Sequence, residues 1–149
     1  MAKSTRSSTF HMETHPFFWF GQILGLRNRA LNQELRRHGL DYPRLKVLGV
    51  LEEHPGCSMQ ELADLAAVDR TSLNHTVRLL VDEGLVDRKA RPSDRRSVVL
   101  KLTAAGRRMF KRITPMILQL NERTMTGFTA RETGAFLEQL RRMADNLRD

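Results

Sequence analysis

At Gly84 the hydrophobic period of the chain changes, and that change restricts the fold more than any other feature of the sequence. Upstream, Leu73, Val77 and Leu80 recur at helical spacing; downstream, Val98, Leu100 and Leu102 alternate with Val99 and Lys101. A period near 3.6 predicts an amphipathic helix, and a period of two predicts a half-buried strand. Residues 85–89 supply a partner strand, joined by a basic loop at residues 90–96. Ahead of the switch, Ser58-Met59-Gln60-Glu61 reads as a capping box, because hydroxyl and carboxylate can each satisfy a free backbone N–H. It opens a helix carrying Leu62, Ala63, Leu65 and Ala66. A short turn at Ala67-Val68 leads to Asp69, which caps the next helix, and Gly84 stops that helix.

Helical patterns flank this segment. Pro16 opens one with Phe20, Ile23, Leu24, Leu31 and Leu35, ended by Gly39. Asp41 caps a second, with Leu45, Leu48 and Leu51, which stops at His54-Pro55-Gly56. After Thr103, Met109, Ile113, Ile117 and Leu120 form a stripe, and Pro115 inside it predicts a bend. Thr129-Ala130-Arg131-Glu132 is a second capping box, followed by Phe136, Leu140, Met143 and Leu147. The expected architecture is mainly α with a small β-hairpin wing, a winged helix-turn-helix flanked by dimerisation helices. Its expected parts are a mobile segment at 1–14, an N-terminal dimerisation helix at 15–39, the winged domain at 40–103 and C-terminal dimerisation helices at 104–149.

The charge is unevenly placed. The formal net charge is +8, and from Asp69 to Arg112 there are 12 Lys or Arg against 5 Asp or Glu. The rest of the chain carries 13 against 12, so nearly all the excess lies in 44 residues. A concentrated basic segment is an electrostatic footprint for a polyanion. Nucleic acid is favoured over a membrane surface because no basic amphipathic helix ends the chain. No apolar run reaches the roughly 20 residues of a membrane helix, and the polar N-terminus lacks a secretory core. With one cysteine, Cys57, no intramolecular disulfide is expected. The expected location is the cytoplasm.

On a helical wheel the helix after Asp69 places Leu73, Val77 and Leu80 on one side and Thr71, Asn74, His75 and Arg78 on the other. Side chains of the second set can read base edges in a major groove, where Asn suits adenine and Arg suits guanine. A plainly solvated face is the alternative, and the neighbouring hairpin argues against it. In residues 88–96, Arg88, Lys89, Arg91, Arg95 and Arg96 surround a single carboxylate, Asp94. Phosphate oxygens would relieve that repulsion and release counterions, and a wing arginine can enter a narrow minor groove. Asp94 can pair with a neighbouring arginine to fix its direction.

From Leu40 to Gly106 the chain resembles the MarR family of bacterial regulators. An Asp-x-Arg followed by five residues and Leu-Thr is matched by Asp94, Arg96, Leu102 and Thr103. Val68-Asp69-Arg70-Thr71-Ser72-Leu73 and Glu83-Gly84-Leu85-Val86 match the family's recognition helix and its exit, adding Arg70 and Ser72 to the expected DNA contacts. By pattern the resemblance spans about residues 15–148. It implies a homodimer whose first and last helices interdigitate, bound to a pseudo-palindromic operator, with repression usually lifted by a small ligand. It also implies a ligand site where the first two helices and the helix after the wing converge, drawing here on Trp19, Phe20, His38, Tyr42 and Met109. An aromatic wall with a few polar groups suits a small aromatic acid or phenol. His75 departs from the pattern, standing where the family commonly has an arginine. Leu79 and Val81 are more apolar than usual on the sides of the same helix.

Other signals read as ordinary structure. Cys57 precedes a helix start that can lower a thiol pKa, which keeps open a redox-responsive or ligand-independent regulator. His11 and His15 lack a third ligand, so no metal or cofactor is expected. The cluster Phe17-Phe18-Trp19-Phe20 suits a dimer core as well as a ligand wall. No glycine-rich phosphate loop, nucleophile elbow or catalytic cluster points to an enzyme. A winged helix used only for protein contacts is the remaining alternative.

Overall fold

The computed structural model describes residues 11–91 and 94–148. Six α-helices and one hairpin follow the expected order: α1 Pro16–Leu35, α2 Tyr42–Glu53, α3 Met59–Ala66, α4 Arg70–Asp82, β1 Val86–Arg91, β2 Asp94–Leu102, α5 Ala104–Thr124 and α6 Ala130–Asp145. Single 3-10 turns occur at Met12–Thr14 and Arg36–His38, the first inside the segment 1–14 expected to be mobile; residues 1–10 lie outside the described residues. The chain divides into two compact units, with the boundary between Phe110 and Lys111 inside α5.

In the first unit the helix starts are set by short polar side chains. Asp41 Oδ1 accepts from the Arg44 N–H at 2.9 Å, and Asp69 Oδ1 accepts from the Ser72 N–H at 2.9 Å. The Ser58 box is reciprocal: Ser58 N–H donates to Glu61 Oε2 at 2.7 Å, and Glu61 N–H donates to Ser58 Oγ at 3.2 Å. Each cap contributes about 1 kcal/mol. Between α3 and α4 the chain reverses in three residues, and Ala67 adopts a left-handed φ of 49° to allow it. For a residue with a Cβ this conformation costs about 1–2 kcal/mol, which the packing around it must offset.

Core packing sets the helices against one another. Leu48 and Leu51 of α2, Leu62 of α3, Leu73, Val77 and Leu80 of α4 and Leu100 of β2 are each at most 1% exposed. Burial of each is worth about 1.5–3 kcal/mol, so these residues decide which way α4 faces. Arg44 adds a polar tie from α2 to the end of α4: its guanidinium lies 3.1 Å from Glu83 and donates to the Gly39 carbonyl at 3.0 Å.

The hairpin pairs antiparallel with Val86 opposite Leu102, Arg88 opposite Leu100 and Ala90 opposite Val98, with a register shift between Ala90 and Arg91. It is longer than the alternation implied. Residues 90, 91 and 94–96, expected in the loop, belong to the strands, and Pro92 and Ser93 lie outside the described residues. Backbone N–H and C=O groups pair whether or not the side chains are apolar, so hydropathy understates the ribbon. On its other edge β2 is held by the residues before α3: Gly56 N–H donates to the Leu100 carbonyl at 2.8 Å, and Leu100 N–H to the Cys57 carbonyl at 2.9 Å. At the wing's exit, a Cβ on Gly106 would collide with the Leu85 carbonyl, so glycine there permits the close approach of α5 to the hairpin.

The second unit contains the remainder of α5, which runs through Pro115, and α6. Thr129 and Glu132 form the second expected box, with Thr129 N–H donating to Glu132 Oε2 at 2.8 Å. No residue of α6 is buried, although Phe136, Leu140 and Met143 recur at helical spacing along it; Leu147 falls in the turn after its end.

Candidate nucleic-acid interface

α4 divides its side chains as its period dictates. Leu73, Val77 and Leu80 are buried, while Arg70, Thr71, Ser72, Asn74, His75 and Arg78 are exposed. Thr76 is an addition that the wheel did not single out. It is buried, and its hydroxyl donates to the Ser72 carbonyl at 3.1 Å, which satisfies it within the helix. The exposed face is therefore a strip of short donors and acceptors with two arginines, fixed in direction by the core behind it.

The hairpin brings Arg88 to this strip. Asn74, His75, Val77, Arg78, Val81 and Arg88 line a hollow of about 470 Å³ between the outer face of α4 and β1. Among the described residues neither Arg78 nor Arg88 has a carboxylate within ion-pair distance, so the hollow is cationic with an apolar floor. Arg78 Nη2 stands 3.3 Å from His75 Nδ1. Lys89 is instead partnered, 3.4 Å from Asp87. The backbones of Arg91, Asp94, Arg95 and Arg96 belong to the ribbon, and their side chains lie outside the described residues.

The five residues expected at a ligand site are more dispersed in character. Trp19 is half-exposed; its indole N–H donates to the Glu13 carbonyl at 2.9 Å, and its ring meets Phe18 edge-on at 5.2 Å. Phe20 packs edge-on against Phe17 at 5.8 Å. His38 ends the 3-10 turn after α1, Tyr42 opens α2 and Met109 lies in α5, all three half-buried. Tyr42 lines a separate hollow of about 370 Å³ with Lys46, Val47, Val68, Ser72 and Leu73, among others, and none of the other four contributes to it. There the Lys46 ammonium lies 5.8 Å from the Tyr42 ring centre, and burial pushes its pKa down. Lys46 was not among the residues expected from the sequence, although its aromatic partner lies four residues earlier on the same helix.

Cys57 behaves oppositely to a thiol activated by a helix start. It is 8% exposed, and burial, reinforced by the Glu61 carboxylate, pushes its pKa up. Its backbone pairs antiparallel with Leu100, itself fully buried, which sets Cys57 beside the core.

Two short helices at a tight turn, the second with a polar outer face, followed by a two-stranded ribbon, define a winged helix-turn-helix. The sequence model of the MarR family matches residues 38–97. A transcriptional repressor of Mycobacterium tuberculosis is 33% identical over 108 residues, spanning 72% of this chain and 78% of its own. The repressor IacR of Pseudomonas putida is 27% identical over 139 residues, spanning 93% and 81%. Among solved structures, a MarR family regulator from Silicibacter pomeroyi superimposes with a TM-score of 0.83 at 29% identity, covering 91% of this chain and 92% of its own. PcaV of Streptomyces coelicolor, solved in complex with its natural ligand, superimposes with a TM-score of 0.79 at 26% identity, covering 97% and 98%. The chain belongs to the MarR family and is a transcriptional repressor of that type.

Proposed function

We propose that the chain acts in the cytoplasm as a homodimer that represses transcription from a pseudo-palindromic operator and is released by a small aromatic ligand. The observation that carries the DNA reading is the outward strip of Asn74, His75 and Arg78 on α4, backed by a buried aliphatic face and flanked by Arg88. In this reading those three side chains meet base edges in the major groove. Arg70, Thr71 and Ser72, at the helix start, meet the phosphate backbone. Arg88, Arg91, Arg95 and Arg96 follow the backbone or the adjacent minor groove, with Asp94 orienting one of them.

Dimerisation is supported by apolar side chains that a single copy leaves in water. Phe17, Trp19, Ile23, Leu24 and Leu26 of α1 are exposed, as are Phe136 and Leu137 of α6. Two-fold pairing is the commonest way to cover such faces, and it sets two copies of α4 about 34–36 Å apart, one turn of DNA. A ligand at Trp19, Phe20, His38, Tyr42 and Met109 acts by preferring one spacing of those helices, since equal affinity for two states shifts nothing. That PcaV was solved with a natural ligand supports small-molecule control.

The test is binding to the DNA beside the chain's own gene across a salt series. Affinity should fall steeply with salt, and Arg95→Ala with Arg96→Ala should make the slope shallower by about one unit per lost phosphate contact. A slope near zero for the unaltered protein would overturn the reading in favour of a protein-docking module.

A further inference from the structure

The contact between Arg78 and His75 determines more than where the two side chains lie. A guanidinium carries donors and no acceptor. For Arg78 Nη2 to approach His75 Nδ1 at 3.3 Å as a hydrogen bond, Nδ1 must accept. The neutral ring then carries its proton on Nε2, because the second ring nitrogen takes whichever role the first leaves to it. The alternative tautomer would set a ring N–H against a guanidinium N–H. The hollow facing this pair contains Arg88 as a further donor, over a floor of Val77 and Val81. Among the residues that line it, only Asn74 offers a side-chain acceptor once Nδ1 is occupied.

We propose that Arg78 fixes His75 as a hydrogen-bond donor, and that His75 thereby selects guanine at one position of each half-site. This inference rests on the DNA-binding reading above. In the major groove guanine presents two adjacent acceptors, N7 and O6; adenine pairs one acceptor with one donor, thymine sets one acceptor beside a methyl group, and cytosine presents an amino donor. A site whose outward groups are mostly donors, Asn74 alone adding an acceptor, is matched best by guanine with two acceptors, less well by adenine or thymine with one, and is opposed by cytosine. Toward His75, and apart from any base contact of its own, Arg78 is a positioning residue. Its replacement by another donor should preserve the preference, and its removal should relax it.

Two measurements separate this inference from the reading it rests on. In the free protein, above the pH at which imidazole protonates, ¹⁵N shifts of the His75 ring should report a proton on Nε2 alone. Arg78→Met should admit the Nδ1-protonated form, and Arg78→Lys should restore the original state. A wild-type ring protonated on Nδ1 would overturn the proposal without any DNA being present. Selection from a pool of random duplexes should then enrich guanine at one position per half-site. His75→Ala should reduce discrimination at that position by about 10-fold or more and leave the others unchanged. His75→Gln, which offers a donor and an acceptor, should move the preference toward adenine. Guanine retained by His75→Ala, or no position altered by either variant, would overturn the proposal. If no duplex is enriched by the wild-type protein, the DNA reading fails and this inference fails with it, whatever the tautomer.

Discussion

The Thr103 hydroxyl donates to the Gly84 carbonyl at 2.7 Å, joining two residues that lie nineteen positions apart at the two ends of the wing. The same oxygen accepts from the Gly106 N–H at 3.0 Å and so caps α5, while the Thr103 N–H donates to the Leu85 carbonyl at 3.1 Å. One residue therefore closes the hairpin onto the end of α4 and starts the following helix.

Thr103→Val keeps the shape and removes both hydroxyl bonds, so it should lower unfolding stability by about 1–3 kcal/mol, whereas Thr103→Ser should cost less than about 1 kcal/mol. Urea titration followed by circular dichroism measures both. Equal stabilities for Val and wild type would mean that the backbone pairing alone holds the wing.

Cys57 should be inert in the folded protein. With the thiol buried and its pKa raised, alkylation by iodoacetamide at neutral pH should run on the order of 10-fold or more slower than in the unfolded chain. Peroxide at concentrations that oxidise exposed thiols should leave DNA affinity unchanged. Labelling as fast as in denaturant would restore the redox-responsive alternative.

Two caps contribute a pH dependence. Hydrogen bonds from the Ser72 side chain and backbone hold the Asp69 carboxyl below its usual 3.8, and the Thr129 backbone N–H and hydroxyl hold Glu132 below its usual 4.5. The unfolded chain therefore takes up these protons at higher pH than the folded one. Both contributions are complete above the usual values and are lost as pH falls through the lower, folded ones. The stability gap between wild type and Asp69→Ala should be constant from neutral pH down to about pH 5 and narrow below pH 4. A gap that widens in acid would contradict the assigned bonds.

The exposed face of α6 should be an interface. Phe136→Glu combined with Leu140→Glu places charge on its apolar stripe, on which none of the described residues is buried. Sedimentation at micromolar concentration should show a dimer for the wild type and a monomer for the variant, with affinity for a two-half-site duplex falling in parallel. A wild-type monomer would remove the two-fold architecture altogether.

Local order in the sequence determined much of the protein, because caps and helix faces depend on neighbours within four residues. Asp41, Ser58, Asp69 and Thr129 each start the helix expected of them, and the spacing of Leu73, Val77 and Leu80 already turned Asn74, His75 and Arg78 outward. The length of the ribbon was not legible, since backbone pairing leaves no mark on hydropathy and residues 94–96 look like loop. Cys57 already read as an ordinary structural thiol, and it is buried; what left no mark was the backbone pairing that sets it against Leu100, forty-three residues away. The ties from Arg44 to Glu83 and from Thr103 to Gly84 share that character. Each depends on which surfaces meet once the aliphatic faces are buried, and that meeting is decided by packing in three dimensions rather than by any period along the chain.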